Sequence, residues 1–273
     1  MRIGLVVRAD SAGTNEVAST VLAAAKARGI EAVAVDEHSD DDLGHCDVVI
    51  AVGGDGTVLD AARHALADGA AVVGINTGRV GFLADGEPHE AERIVELIAA
   101  GSWTETSRMT VSAAIDDGPF HTGLNDVVVE KVTSQRLVSL EVYVDGERFL
   151  TYRADGLVFA TPTGSTAYNL SAGGPIVDPR IDALLVTPVA PYSQFRRALA
   201  LPPSVRLKCK ITHDRPAGVN VDGRDLGVVE PGQVVRIRAG EARVRFVDIG
   251  KRSYTQTVKE KLRLYEGLDG ASL

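Results

Sequence analysis

Gly53-Gly54-Asp55-Gly56-Thr57 closes an apolar run, Cys46-Asp47-Val48-Val49-Ile50-Ala51-Val52. Three glycines around one carboxylate leave bare backbone where phosphate oxygens can come close. An aspartate in that position repels phosphate unless it handles a proton or a cation, so the group points to phosphoryl transfer. Gly53, Gly54, Gly56 and Thr57 are candidates for contact with a phosphate donor, and Asp55 for taking a proton from an attacking hydroxyl. The plain structural alternative is a tight strand-to-helix turn with Asp55 or Thr57 capping the helix. The segment lacks the Gly-Lys-Ser/Thr ending of a P-loop and the glycine spacing of the dinucleotide fingerprint.

Three further segments carry candidate groups. Asn76-Thr77-Gly78-Arg79-Val80-Gly81-Phe82-Leu83 follows a strand pattern; alone it reads as a two-glycine turn with Phe82 anchored in the core, and Arg79 could neutralise phosphate. Leu124-Asn125-Asp126 precedes a β-branched run and reads as a strand-entry turn, although its amide and carboxylate could also grip adjacent sugar hydroxyls. The longest runs from Arg153-Ala154-Asp155-Gly156 through Thr161-Pro162-Thr163-Gly164-Ser165-Thr166-Ala167-Tyr168-Asn169-Leu170-Ser171 to Gly173-Gly174-Pro175. So many hydroxyls and small residues around one tyrosine are hard to explain by packing and mark a ligand loop held by strands. The six histidines show no metal-ligand spacing.

The elements that must position these groups change character near residue 100. Before it, strand patterns at Ile3–Val7, Glu31–Val35, Asp47–Val52 and Ala71–Ile75 alternate with helical patterns at Asn15–Arg28, Val58–Ala67 and Glu90–Ala100. That alternation predicts a parallel sheet with helices on its faces and sites at the carboxyl ends of strands. After it come short strands at Thr110–Ile115, Asp126–Lys131, Ser139–Val144, Gly156–Ala160, Ala183–Thr187, Val205–Ile211, Gly218–Val221, Val234–Arg238 and Val244–Asp248. Asp-Gly and Pro-Gly turns separate them, as in a β-sandwich. The expected division is an α/β domain over 1–100, a β-rich domain over 101–250, and a tail over 251–273 that packs back on the first through a helix at Tyr254–Glu266. Trp103 is expected to fill an inter-domain gap, and Asp40-Asp41-Asp42 to begin a solvated helix.

Composition limits the function classes. The 273 residues are 45% hydrophobic and 24% charged, an ordinary globular balance. A formal net charge of −8 argues against a general nucleic-acid binder. No apolar stretch reaches the ~18 residues that span a bilayer, so no membrane partner is expected. Cys46 and Cys209 have no pairing pattern and read as reduced thiols of a cytoplasmic protein.

Taken in order, these motifs resemble the NAD kinase family over nearly the whole chain, from the first strand to about residue 250. The Gly-Gly-Asp-Gly element is shared with lipid kinases and phosphofructokinases, whereas the Thr-Ala-Tyr segment is far more specific. The resemblance implies a Rossmann-like, phosphofructokinase-like α/β domain followed by a β-sandwich-type domain that binds NAD. It implies transfer of a terminal phosphate from ATP or polyphosphate, with Mg²⁺ carried on the donor's phosphates and no dedicated protein metal site, to the 2′-hydroxyl of the adenosine ribose of NAD. Asp55 falls on the family's proton acceptor, with Gly56 beside it against the dinucleotide. Asn125 and Asp126 fall on an Asn-Glu/Asp pair that holds hydroxyls, and Asp155 on a nicotinamide-side position with Arg153 nearby. Thr166, Ala167, Tyr168, Asn169, Leu170 and Ser171 fall on the dinucleotide pocket, with Tyr168 offering a stacking face, and Ala190 on a further pocket position. A homodimer or homotetramer is implied. The chain departs from many relatives in carrying the shorter carboxylate at Asp126, Arg224 in place of a glutamine, and Tyr192 in place of a histidine.

Overall fold

The computed structural model describes residues 1–8, 12–39, 41–78, 81–134, 136–250 and 253–264. The chain divides into two units, Met1–Thr106 with Arg245–Leu273, and Ser107–Val244.

The first unit opens with β1 (Arg2–Val7), α1 (Ala12–Ala27), β2 (Glu31–Asp36), β3 (Val48–Gly53), α2 (Asp55–Asp68), β4 (Ala71–Asn76), α3 (Ala91–Ala100) and β5 (Thr104–Arg108). The next strands are β6 (Val111–Ile115), β7 (His121–Gly123), β8 (Asp126–Lys131), β9 (Val138–Val144), β10 (Glu147–Ala154) and β11 (Gly156–Ala160). A short α4 (Tyr168–Ser171) precedes β12 (Leu184–Val189), β13 (Leu199–Leu201), β14 (Arg206–Thr212), β15 (Ala217–Val221), β16 (Arg224–Val229) and β17 (Val234–Ala239). The chain then returns to the first unit through β18 (Val244–Asp248) and α5 (Tyr254–Lys261).

In the first unit the sheet order is β2-β1-β3-β4-β18-β5, and the β1–β2, β1–β3, β3–β4 and β4–β18 pairs are parallel. All six residues of β3 are buried, as expected for a strand with both faces covered. Ile3, Leu5 and Ile50 pack there with Val21 of α1 and Ile94 and Ile98 of α3. Register sets Gly53 beside Asn76, so the carboxyl ends of β3 and β4 lie together.

The second unit stacks two sheets, β10-β9-β14-β17-β6-β7 and β13-β12-β11-β8-β15-β16. Their inward residues, among them Leu140, Tyr152, Ile237, Leu157, Phe159 and Leu184, form one core, the arrangement of a β-sandwich. Cys46 and Cys209 are free and buried.

Several expectations change. β5, β7, β10, β13 and β16 have no counterpart among the expected strands, because TETSR and ERFLTYRA are too polar to read as strands without their partners. β18, expected in the β-rich domain, pairs instead with β4, Arg245 opposite Ala71 and Phe246 opposite Val72. Trp103 packs on the core of the first unit and donates to Glu105 at 3.1 Å. Asp41 and Asp42 lie in irregular backbone rather than a helix, and Asp40 is outside the described residues. The tail helix ends at Lys261, and Tyr265 and Glu266 are likewise outside them.

Candidate active site

In the first unit, the end of β3 leads straight into α2 with Gly54 as the N-cap residue and no side-chain cap. The capping role open to Asp55 and Thr57 is therefore not the one they take. Asp55 begins the helix and turns its carboxylate toward the segment after β4. There the Phe82 amide donates to Oδ2 at 2.9 Å and the Leu83 amide to Oδ1 at 3.1 Å. Each carboxylate oxygen has two acceptor positions, so the clamp orients Asp55 and leaves one lone pair on each oxygen free. Gly81 allows this approach: a Cβ there would stand 2.0 Å from Asp55 Oδ1. The Gly81-Phe82-Leu83 segment, which alone reads as a two-glycine turn, is thus the aspartate's holder. Phe82 is half-buried rather than a core anchor, with Lys261 Nζ 5.6 Å from its ring centroid. Arg79 lies outside the described residues.

The glycines beside Asp55 divide into two kinds. A Cβ on Gly53 would collide with Thr57 Oγ1 at 2.1 Å, so packing demands that glycine. Around Gly54 and Gly56 a Cβ would meet nothing within 4 Å, and neither has a left-handed φ. Neither packing nor backbone conformation requires a glycine at those two positions. Thr57 is buried and its hydroxyl donates to Glu37 at 2.7 Å, which turns it away from the phosphate contact expected of it.

In the second unit, the segment entering β8 is held by a residue that the sequence marked only as a turn. Asp222, at φ 49°, accepts from the amides of Leu124 at 2.6 Å, Asn125 at 2.8 Å and Asp126 at 3.0 Å. Its Asp-Gly turn signal was visible; its partners, about a hundred residues away in sequence, were not. Thr161 braces the same segment by donating to the Leu124 carbonyl at 2.6 Å. Asn125 Oδ1 is buried without a hydrogen-bond partner. Burial, reinforced by the neighbouring Asp222 carboxylate, pushes the Asp126 carboxyl up to about 7.

β11 connects the remaining candidates. Its Ala160 end pairs with Asp126, and its Gly156 end pairs with Glu130 beside Asp155. Asp155 accepts from Lys131 Nζ at 2.6 Å. The exposed Arg153 lies 5.9 Å from the Tyr192 ring. Ala190, exposed, has φ 44°, a strained value for a residue with a Cβ. Tyr168 is 36% exposed. Partial burial, together with Glu130, Asp155 and Asp126, pushes its phenol up, so its ring stands among carboxylates of both ends of β11. Thr166, Ala167 and Leu170 are half-buried and Ser171 is exposed. Asn169 does not join them. It is fully buried, with Nδ2 donating to the Ser165 and Pro175 carbonyls at 2.9 and 3.0 Å and Oδ1 accepting from Thr187 at 2.6 Å. A saturated, buried amide holds the loop in shape and is not free for a ligand.

Residues 34–103 match the family model of the ATP-NAD kinase N-terminal domain, and residues 124–249 that of the ATP-NAD kinase C-terminal domain. The chain belongs to the NAD kinase family. A relative in Heliobacterium modesticaldum, an NAD kinase, is 41% identical over 229 residues, 82% of this chain and 81% of that one. An NAD kinase of Chlorobium phaeobacteroides is 33% identical over 96% of each chain. Among solved structures, an NAD kinase from Archaeoglobus fulgidus in complex with ATP is similar at TM-score 0.80 and 25% identity, covering 96% of this chain and 99% of that one. Yeast NADH kinase complexed with NADH shares the fold at TM-score 0.84 and 21% identity, covering 98% of this chain and 89% of that one.

Proposed function

We propose that this family member is an NAD kinase in which Asp55 takes the proton from the 2′-hydroxyl of the adenosine ribose of NAD. The observation that carries this reading is the clamped carboxylate, held by two backbone amides and bordered by Gly54 and Gly56 over open space. As the 2′-oxygen bonds to the terminal phosphorus, the phosphorus–oxygen bond to the leaving donor breaks. The proton passes to Asp55 and the products are NADP and, from ATP, ADP. A positioned base of this kind is worth roughly 10²–10⁴-fold in rate. Amides near Gly54 and Gly56 offset charge on the donor phosphates. In this reading Thr57 supports Glu37 and does not touch phosphate.

Dinucleotide binding falls to the second unit. Asn125 and Asp126 hold ribose hydroxyls, and Asp126, near neutral pH, can donate as well as accept. Tyr168 supplies the stacking face, Thr166, Ala167, Leu170 and Ser171 the pocket wall, Arg153 and Asp155 the nicotinamide side, and Ala190 a further pocket position. Asn169 contributes only by shaping that loop.

Mg²⁺ enters on the donor phosphates as part of the substrate; among the described residues no group of three or more His, Cys, Asp or Glu could hold a metal ion. We place the enzyme in the cytoplasm, in keeping with its two free thiols, as a homodimer or homotetramer without a nucleic-acid or membrane partner. No described helix is long and apolar enough to cross a membrane.

Purified protein given Mg²⁺, NAD and either ATP or polyphosphate is expected to form NADP, and a parallel reaction with NADH shows whether the reduced form is accepted. Asp55→Asn is expected to bind NAD but turn over at a small fraction of the normal rate. NADP formation at near-normal rate in that variant would remove Asp55 from the chemistry.

A further inference from the structure

Along β14 the inward residues Leu207, Cys209 and Ile211 are core, which leaves Arg206, Lys208 and Lys210 on the outer face of their sheet. β17 repeats the pattern, with Val235 and Ile237 inside and Arg236 and Arg238 outside. Register sets Arg206 opposite Arg238 and Lys208 opposite Arg236. The result is a block of four cations about 5 Å apart across the strands and about 7 Å apart along them. Like charges directly opposite one another destabilise a sheet. In a chain of net charge −8 such a concentration does not follow from composition.

The block is also held in place. The Phe120 ring lies 5.1 Å from the Arg236 guanidinium and 4.1 Å from that of Arg238, and Arg236 donates to the Gly118 carbonyl at 3.3 Å. Arg148 extends the same face, paired in register with Tyr143, which in turn pairs with Lys208. Carboxylates there include Glu141, bound to Arg148 and opposite Lys210 in register; Glu241, 2.7 Å from Arg238; and Asp117, 3.8 Å from Arg236. With Asp145 accepting from the Arg206 amide at 2.8 Å and Asp116 from the Val234 amide at 2.9 Å, five carboxylates border six cations, since Arg148, Arg206, Lys208, Lys210, Arg236 and Arg238 share the surface. Among the described residues Lys208 and Lys210 have no ion pair or side-chain hydrogen bond. Past Lys210, Thr212 lies in register with Ser139, and Ser139 with Arg153. These three, with His213, Arg215 and the flanking Leu137 and Asp214, line a cavity of about 260 Å³.

We propose that this outer face binds a linear oligophosphate, laid along β14 from the Arg206–Arg238 pair toward the Arg153–Arg215 cavity. The track from Arg206 to Thr212 is about 20 Å long and two to three strands wide. That suits a single chain of phosphates better than a duplex, whose phosphates would extend over the acidic remainder of the protein. Guanidinium forks match phosphate oxygens two at a time, which favours phosphate over scattered carboxylates. The track uses neither Asp55 nor the phosphoryl-transfer step, and shares with the proposed dinucleotide contacts only Arg153, at its far end.

The test is calorimetric titration of the full chain with inorganic tripolyphosphate over a range of salt, compared with the Lys208→Gln/Lys210→Gln variant. Both lysines lie outside the machinery assigned to NADP formation, so the variant should make NADP from ATP at the normal rate. Binding to the variant is expected to weaken at least tenfold, and its logarithmic salt slope to fall by about one to two. Unchanged affinity in the variant overturns the proposal, because the probe then sits elsewhere, as does a lack of binding to the native chain at low salt. Tighter binding of an RNA oligonucleotide of equal charge overturns the oligophosphate assignment. A change in sedimenting mass on substitution also overturns it, by showing the face to be a contact between copies of the chain.

Discussion

Gly81→Ala puts a methyl group where the Asp55 carboxylate now sits. Its carbon would stand 2.0 Å from Oδ1, 2.8 Å from Cγ and 3.2 Å from Oδ2. Ordinary contact needs well over 3 Å, so the carboxylate must retreat by more than about 1 Å, and a displacement of that size at a reacting group costs about 10²-fold in rate. Complete loss of a positioned base costs up to about 10⁴-fold. The expected fall in kcat is therefore 10²–10⁴-fold, or about 3–5 kcal/mol in the barrier. Folding should suffer far less. The φ of Gly81 is not left-handed, so alanine adds no backbone strain, and the group displaced is the end of a half-exposed side chain that water can solvate. Initial rates of NADP formation at varied NAD, with a thermal melt of the same preparation, separate the two effects. The expected result is a large loss in kcat, a KM for NAD within a few-fold of normal, and a Tm within a few degrees. A kcat close to normal would refute the clamp, and a collapse of Tm would show that Gly81 serves folding instead.

The other predictions concern the second unit. Asp222→Ala leaves three backbone amides without their acceptor; at about 1–3 kcal/mol for each unsatisfied group, partly relieved by water, denaturant unfolding should show a loss of about 2–4 kcal/mol, and NAD affinity should fall with it. An unchanged midpoint would show that those bonds contribute nothing. Tyr168→Ala should raise the Kd for NAD about tenfold or more, at little cost in Tm, because the ring is already 36% exposed; equal affinity would remove its stacking role. Asp126 carries a stability signature in pH. Its folded pKa, pushed up to about 7, exceeds the unfolded value near 4, so the folded chain binds the extra proton between them and this group's contribution to stability declines as pH rises through that window. Asp126→Asn, which mimics the neutral acid, should therefore melt close to the parent at pH 4 and above it at pH 8, by up to about 4 kcal/mol; equal melting at both values would contradict the shift.

Much of the fold could be read from residue order because burial imposes a period. Continuous apolar runs such as Asp47–Val52 marked strands, alanine-rich stretches marked the helices between them, and short runs such as Val205–Ile211, set off by Asp-Gly and Pro-Gly turns, marked the β-rich part. β5 and β10 escaped because edge and near-edge strands keep polar residues on an exposed face, and their partners are what make them strands. β18 looked like its β-rich neighbours, yet its pairing with β4 depends on where the chain travels and not on its own pattern.

The candidate site divides the same way. Residue order alone marked Gly53–Thr57 as the candidate for phosphate chemistry and Thr161–Ser171 as a candidate ligand loop, because bare glycines beside a carboxylate and a dense run of hydroxyls suit those uses. Tertiary structure alone decided how those groups are held. It placed Asp55 on the amides of Phe82 and Leu83, Asp222 on those of Leu124, Asn125 and Asp126, turned the Asn169 amide inward, and gave the Thr57 hydroxyl to Glu37. The physical reason is that a residue type states which bonds a side chain can make. Its partner is set by strand register and chain path, which bring together groups that sequence spacing keeps apart.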